Sequence, residues 1–512
     1  MMSLSIFSKK FLFNILHPFC FLFVKIALHF YDFTKIKLYF DNKSTIIPLK
    51  GVNKMSKSKR NVDMLHGPML SKILLFALPL ALSSILQLLF NAADTIVVGQ
   101  FSGSQALAAV GSNGALINLI VNAFMGLSIG ANVIVARYRG QGKEDRIKKA
   151  VHTAILISII CGIVLAIVGF FLAPELLTIM STPADVIDLS ALYLRIYFIG
   201  MPFLMVYNFG AAILRSIGDT KRPLYFLTIS GVVNVILNLF FVIVLGMSVD
   251  GVATATIISE FVSAVLVVRT LCHEEGSLKL NLRELAIDKQ CLIDIVKVGL
   301  PAGLQGCIFS LSNVVIQSSI NTFGTIVVAG NSAASNIEGF IYVTMNAFHQ
   351  SAVTFSSQNF GAKQYKRCDK ALTISVACAA VFGTVIGMTF ILFGEELLRL
   401  YTNDPLVIEA GMVRMSYLFR FQALNGAMDV MVGGLRAVGY SVLPTIVSLT
   451  GVCLLRLVWI ATIFQANPTI HMLYLVYPVT WTVTVTAHII SYIIVRRKIN
   501  QNTQYDNHLE QA

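Results

Sequence analysis

Apolar runs of about 20 residues, the length an α-helix needs to cross a hydrocarbon core roughly 30 Å thick, recur from Leu70 to Val495 with only short polar gaps between them. The pattern predicts twelve spans, at about 71–100, 106–136, 150–173, 188–213, 223–246 and 251–270, then 291–322, 326–357, 371–396, 407–434, 444–465 and 472–495. The fold class that follows is an all-α integral membrane protein. Charge in the gaps alternates. Arg137, Arg139, Lys143, Arg146, Lys148 and Lys149 crowd the gap after the second span, whereas the stretch 173–188 carries no Lys or Arg. Basic residues return after the fourth span (Arg215, Lys221, Arg222), the eighth (Lys363, Lys366, Arg367, Lys370), the tenth (Arg436) and the twelfth (Arg496 to Lys498). Because short basic loops stay in the cytoplasm, these gaps and both termini are expected there.

The pattern also repeats itself. Pro79 answers Pro301 and Asn91 answers Asn313 at an interval of 222, while the loop from Gly140 to Ala150 answers Gly361 to Ala371 at 221, with Arg146 opposite Arg367. Arg215, Gly218 and Pro223 answer Arg436, Gly439 and Pro444, again at 221. The chain therefore reads as two six-helix lobes, and an even number of spans per lobe implies a pseudo-two-fold axis along the membrane normal. The expected divisions are a first lobe at 65–270, a cytoplasmic linker at 271–290 carrying His273, Glu274, Glu275 and Lys279, a second lobe at 291–498 and a cytoplasmic tail at 499–512. Pro79, Pro202, Pro223, Pro301, Pro444 and Pro478 fall within spans or at their ends, where proline kinks helices or starts them.

Composition agrees with a lipid solvent: of 512 residues, 56% are hydrophobic and only 13% charged, too few charges to clothe soluble domains of this size. The net charge of +13 is topological, since its Lys and Arg sit between apolar runs without the interleaved aromatics of a nucleic-acid site. Cys161, Cys307, Cys378 and Cys453 lie inside spans, and no cysteine pair has the CxxC spacing of a zinc or redox site. HExxH and GxxxxGK[ST] motifs are missing, the Gly140-Gln141-Gly142-Lys143 stretch notwithstanding, and neither an enzyme nor a nucleotide-driven pump is expected. No cofactor or metal site is expected.

Candidate chemistry lies inside the spans. Ser84, Gln87, Asn91 and Asp94 are spaced three, four and three residues apart on the first span, which makes a polar stripe along one helical face. An intramembrane Asp costs roughly 2.5–3.5 kcal/mol on insertion scales, so it belongs against a cavity or a partner. Asn234 and Asn238 share a face of the fifth span, and Thr256 and Glu260 share a face of the sixth. Together with Asp94 they offer hard oxygen ligands for a small cation, or a carboxyl that trades a proton; interhelical polar packing is the alternative reading for Asn234, Asn238 and Thr256. The second half does not repeat this set. Asp94 becomes Ile316, while Asn234 and Asn238 fall on or next to Leu455 and Trp459. There the chain carries Arg456, with Glu338 in the eighth span and Asp429 in the tenth, and Arg456 is expected to pair with Asp429 or Glu338.

These residues resemble the multidrug and toxic compound extrusion (MATE) family, from about Gly67 to Lys498. The resemblance rests on Leu78-Pro79 with Asn91-Ala92-Ala93-Asp94 and Val98-Gly99, on Gly140 to Arg146, on Leu214 to Thr220 with Pro223, on Asn234 and Asn238, and on Gly251 to Thr256. It implies export of amphipathic organic cations and drugs in exchange for H⁺ or Na⁺, by alternating access between two six-helix lobes. It also implies that Asp94, Asn234, Asn238 and Thr256 form the first-lobe coupling-cation site, with Gln87, Asn91 and Glu260 as cavity residues. Where relatives carry a seventh-span Glu and a tenth-span Asp, this chain has Phe309 and Asn425, so coupling is expected to depend on Asp94. Arg456 to Trp459 is similar to the bacterial branch, which implies a multi-pass protein of the bacterial cytoplasmic membrane, surrounded by lipid and complete as a monomer. A flippase for lipid-linked sugars shares the repeated architecture but would need more cationic residues for a pyrophosphate. An intramembrane enzyme would need more than His349.

Residues 1–64 read as an extension that no span requires: the apolar run at 11–31 is broken by His17, Lys25 and His29, and the chain restarts at Met55 with Met-Ser-Lys-Ser-Lys-Arg. Translation is therefore expected to begin at Met55, and N-terminal mass spectrometry of the expressed protein should find no peptide from before it.

Overall fold

A computed structural model describes residues 61–511 apart from Ser181; the expected start at Met55 and the extension as far as residue 60 lie outside the described residues. The first lobe consists of helices Met69–Phe101, Ser104–Gly140 and Glu144–Ile179, a fourth span in two pieces, Ile187–Ile199 and Met201–Ser216, a fifth at Lys221–Leu239 that continues as a π-helical turn, Phe240–Val244, and a sixth at Val249–Cys272. In the second lobe the spans are Lys289–Asn321, Thr325–Gly361, Tyr365–Leu392, a tenth made of Pro405–Leu418 and Gln422–Ala437, an eleventh running through Val442–Ser448, Leu449–Leu454, Leu455–Trp459 and Ile460–Phe464, and a twelfth at Ile470–Gln511.

Nine of these helices are individually long and apolar enough to cross a membrane, and the fourth span makes a tenth when its two pieces, bent by 47°, are joined. The other two explain themselves. The eighth turns Asn331, His349, Ser351 and Asn359 into the protein interior and so carries too little apolar surface, while the tenth is interrupted by a 3₁₀ turn at Phe419–Phe421. At the fourth-span bend, Gly200 precedes Met201 and Pro202, and a proline at the first turn of a helix restarts it without a donor to satisfy.

The duplication is written into the turns. Backbone in the left-handed region occurs at Gly103 and Gly324, at Gly142 and Lys363, and at Gly218 and Gly439, each pair 221 residues apart. Glycine adopts that region freely, whereas Lys363 holds it at a cost of roughly 1–2 kcal/mol, which indicates that the turn geometry is required in both lobes.

The lobes meet at the end of the bundle that bears the basic loops. On the second span Gly126 and Gly130 face Gly299 and Gly303 of the seventh; a Cβ added at Gly303 would lie 2.0 Å from the Ala123 carbonyl, so two helices approach as closely as small residues allow. Nearer the loops Arg137 donates through Nη2 to the Ala437 carbonyl at 3.1 Å and lies over the Phe360 ring, and Tyr138 donates to Asp294 at 3.0 Å. The segment before the first span straps both lobes. Val62 N–H donates to the Gly218 carbonyl of the first lobe, while Asn359 and Arg367 of the second donate to the carbonyls of Met64, His66 and Gly67. Met64 itself is 1% exposed among Phe76, Phe355 and Ala371.

Between the lobes, the segment after Cys272 is pinned along the third span by Asn281 N–H to His152 and by Lys148 and Lys149 to Glu284 and Asp288. Asp288 caps the seventh span by accepting the Cys291 N–H at 3.0 Å. That bond, with Lys149 beside it, holds its carboxyl below the usual carboxylate range.

Gly303→Val should force the second and seventh spans apart and cost about 1–3 kcal/mol, as overpacking does; thermal unfolding of the purified protein in detergent should fall accordingly.

Candidate functional site

Lipid-facing positions locate the polar stripe of the first span. Leu75, Leu78 and Ile96 are exposed apolar side chains, Leu78 at 65%, and Leu78 and Ile96 stand 18 residues, five full turns, apart. The stripe of Gln87, Asn91 and Asp94 lies on the opposite face. Gln87 and Asn91 are themselves exposed, so that face borders an open space and not a packed neighbour.

Asp94 reaches the fifth span, where the Asn238 side-chain amide donates to its Oδ1. The same amide donates to Asn234 Oδ1 at 3.3 Å, and Asn234 donates to Thr256 Oγ1 of the sixth span at 3.5 Å. Four of the residues singled out from sequence thus form one continuous chain of hydrogen bonds across three helices. Asn238 is fully buried, yet its Oδ1 has no partner among the described residues, an acceptor the fold leaves ready for a cation or a donor. The oxygen-rich donor set and this orphaned acceptor fit a hard monovalent cation. Among the described residues no three His, Cys, Asp or Glu side chains gather into a metal site.

Two features here are not legible in the spacing. Tyr193 of the fourth span lies within electrostatic reach of both Asp94 and Glu260 and stacks on Tyr197, with ring centroids 6.1 Å apart. Glu260, one turn beyond Thr256, places Oε2 against Gly200 at the fourth-span bend, where an added Cβ would stand 2.8 Å from it. A carboxylate wedged at a helix break is reachable from sequence only once the break is known.

The second lobe corrects the expected pairing of Arg456. Glu338 is taken by Arg414, whose Nη2 donates to Oε2 at 2.6 Å, and by Gln422, which donates to Oε1 at 2.8 Å. Arg414 also donates to Asn331 at 2.6 Å, and Asn425 donates to Gln422 at 3.0 Å. Asp429 belongs to His349, whose Nδ1 lies 3.3 Å from Oδ1 and 2.7 Å from the Asp429 carbonyl. The physical reason is reach: the eighth and tenth spans pack side by side, so their charges meet each other before the eleventh span can offer Arg456. Arg414 lies within the apolar stretch 407–434, and that alone marks it as an intramembrane charge needing a partner. Arg456 instead sits 4.5 Å over the Tyr477 ring.

Arg414→Met should leave Glu338 buried without its counter-charge and cost about 3–5 kcal/mol, whereas the Arg414→Met, Glu338→Met double variant should recover most of it; thermal denaturation of the four proteins of that cycle measures both.

With this geometry in hand, comparison with known proteins is informative. A family model described as MatE matches residues 79–240 and again 301–462, an interval of 222 at both ends (301 − 79 and 462 − 240). The probable multidrug resistance protein YoeA of Bacillus subtilis is 28% identical over 385 residues, covering 73% of this chain and 82% of that one. An FAD transporter of Shewanella oneidensis is 26% identical over 350 residues, covering 68% and 77%. A multidrug resistance MATE family transporter of the MOP superfamily, solved in an outward-facing conformation, superposes with a TM-score of 0.79 at 21% identity, over 87% of this chain and 99% of that one, which establishes the shared fold.

Proposed function

We propose, from the premise that the chain belongs to the MatE family, that it is a multidrug efflux transporter exchanging amphipathic organic cations and drugs for H⁺ or Na⁺ by alternating access. One similar protein is named an FAD transporter, so membership alone leaves the charge of the cargo open. What supports cations is the first-lobe interior, where Asp94 and Glu260 have no Lys or Arg partner among the described residues and Gln87 and Asn91, on the same helical face as Asp94, are exposed.

The carrying observation is the chain Asp94–Asn238–Asn234–Thr256, which exists in one lobe only. A proton on Asp94, or a Na⁺ among its oxygens and Asn238 Oδ1, changes how the first, fifth and sixth spans are tied together. A ligand shifts a two-state equilibrium only by its differential affinity, so coupling requires that the ion and the drug favour different arrangements of these spans. With the basic loops and both termini in the cytoplasm, the inter-lobe hydrogen bonds of Arg137, Tyr138 and Thr354 lie towards the cytoplasmic side, and the arrangement reads as closed there. Entry of the ion from outside then re-forms the first-lobe site and releases the drug. The protein resides as a multi-pass monomer in the bacterial cytoplasmic membrane, its exposed apolar faces covered by lipid.

Efflux of a fluorescent cationic dye from proteoliposomes should follow an imposed Na⁺ or pH gradient and fall about tenfold or more in Asp94→Asn, because an intramembrane coupling carboxylate has no neutral substitute. The gradient that drives wild-type efflux names the ion. Unchanged efflux in the variant overturns the assignment of Asp94, and no dye movement under either gradient favours a lipid-linked sugar as cargo.

A further inference from the structure

We infer that Arg456 is the centre of an anion site in the second lobe, one that takes the carboxylate of an amphipathic organic molecule. The interval of 222 at which the two family matches end, at residues 240 and 462, puts Arg456 opposite Asn234. Where the first lobe gathers oxygens for a cation, the second presents a guanidinium. The shift from the 221 of the loops to 222 here has a local cause, since the eleventh span contains a π-helical stretch at Leu449–Leu454 and a π-bulge inserts one residue into a helix.

Arg456 is 5% exposed, and its engagement is incomplete. Nε donates to Thr480 Oγ1 at 3.4 Å, while Nη1 and Nη2 donate to none of the described residues. The enclosed, unpartnered nitrogens of the described residues include Nε of Arg414 and of Arg436 but neither Nη of Arg456, so these two groups retain a little exposure while lacking a partner. The guanidinium lies over the Tyr477 ring, an attraction that offsets part of the desolvation cost but cancels no charge. The charges in reach of it are Arg414 and Glu338, and both Glu338 oxygens are occupied by Arg414 and Gln422. Two guanidinium groups therefore share one carboxylate, and the cluster lacks one negative charge. A carboxylate on Nη1 and Nη2 supplies it with two parallel hydrogen bonds, the geometry in which Arg binds carboxylates best. Joined to the acidic first lobe, such a site selects molecules that carry an anionic group as well as a cationic one, which rests on the transporter reading only in the step from binding to transport.

Both tryptophans of the chain flank this site. Trp459 is one turn beyond Arg456, and Trp481 follows Thr480 with its ring 5.7 Å from that of Tyr477. Energy transfer from tryptophan to pyrene in the purified full-length protein thus reports binding directly. Pyrenebutyrate should bind about tenfold tighter than its neutral amide, as charge-assisted hydrogen bonds imply; Arg456→Gln should abolish that preference and leave affinity for the amide unchanged. Equal affinities in the wild type, or a preference that survives in Arg456→Gln, overturns the site. Should that variant fail to fold, Arg456→Lys decides: it keeps the charge but loses the planar fork, so a reduced preference supports the site and an unchanged one overturns it. The assay needs no gradient, and its failure is distinct from a failure of dye efflux.

Discussion

Hydrocarbon offers no hydrogen bonds, and that constraint governs the polar side chains inside this protein: Ser and Thr turn to carbonyls of their own helix, and the charged groups find partners on another helix or border a space that water or a ligand enters. Asp94 finds Asn238, Glu338 finds Arg414 and Gln422, Asp429 finds His349, and Arg436 finds Gln305 at 2.7 Å. Each pairing joins two spans, so the polar interior also fixes helix positions. Gln305 carries this furthest, accepting from Arg436 of the tenth span and donating to Ser448 of the eleventh, which in turn meets His488 of the twelfth. Removing one member of such a chain strands the other in a medium that cannot solvate it, which is why the cost of breaking a pair far exceeds the net worth of having it.

Two lobes that fold alike have been given opposite interiors. The repeated left-handed turns at an interval of 221 place equivalent helices in equivalent positions, and the residues placed there diverge: Asp94 stands opposite Ile316, and Asn234 opposite Arg456. A duplicated scaffold tolerates this because backbone geometry is set by turns, glycine contacts and lipid-facing apolar surface, none of which the interior charges alter. In the first lobe Asp94 has no Lys or Arg partner among the described residues, and in the second two guanidinium groups, Arg414 and Arg456, lie in reach of Glu338.

How much of this the sequence carries differs by level. Spans are legible because length and apolarity alone select them, and even the eighth, too polar to pass on its own, falls into place since it occupies the position of the second in the repeat. The first-lobe site is legible because Asp94, Asn234 and Asn238 put a charge or an amide where lipid forbids one, with the Thr256 hydroxyl on a neighbouring span, and the structure brings the four into one hydrogen-bonded chain. The break at Phe419–Phe421 carries no proline or glycine and announces nothing. The partner of Arg456 was misread for a related reason: a charge in a span declares that it needs a partner, but which one depends on how helices 76 residues apart turn towards each other, as Arg414 and Glu338 do. Tyr193 and the contact of Glu260 with Gly200 belong to the same class of tertiary fact.

Closure at the basic end is built from contacts suited to being made and broken. Arg137 and Arg367 donate to backbone carbonyls of the opposite lobe or of the strap before the first span, and carbonyls released from such bonds at a membrane surface are immediately hydrated. Each charge-assisted bond is worth about 1.5–3 kcal/mol in place but leaves little penalty behind when water replaces it. The close glycine approach of the second and seventh spans, in the half of each helix nearer the basic loops, is the opposite kind of contact, short and unyielding. Moving a two-state equilibrium from 1:99 to 99:1 takes about 5.5 kcal/mol of differential binding. A few hydrogen bonds to backbone carbonyls leave a smaller gap to cross than a closure made of buried ion pairs would.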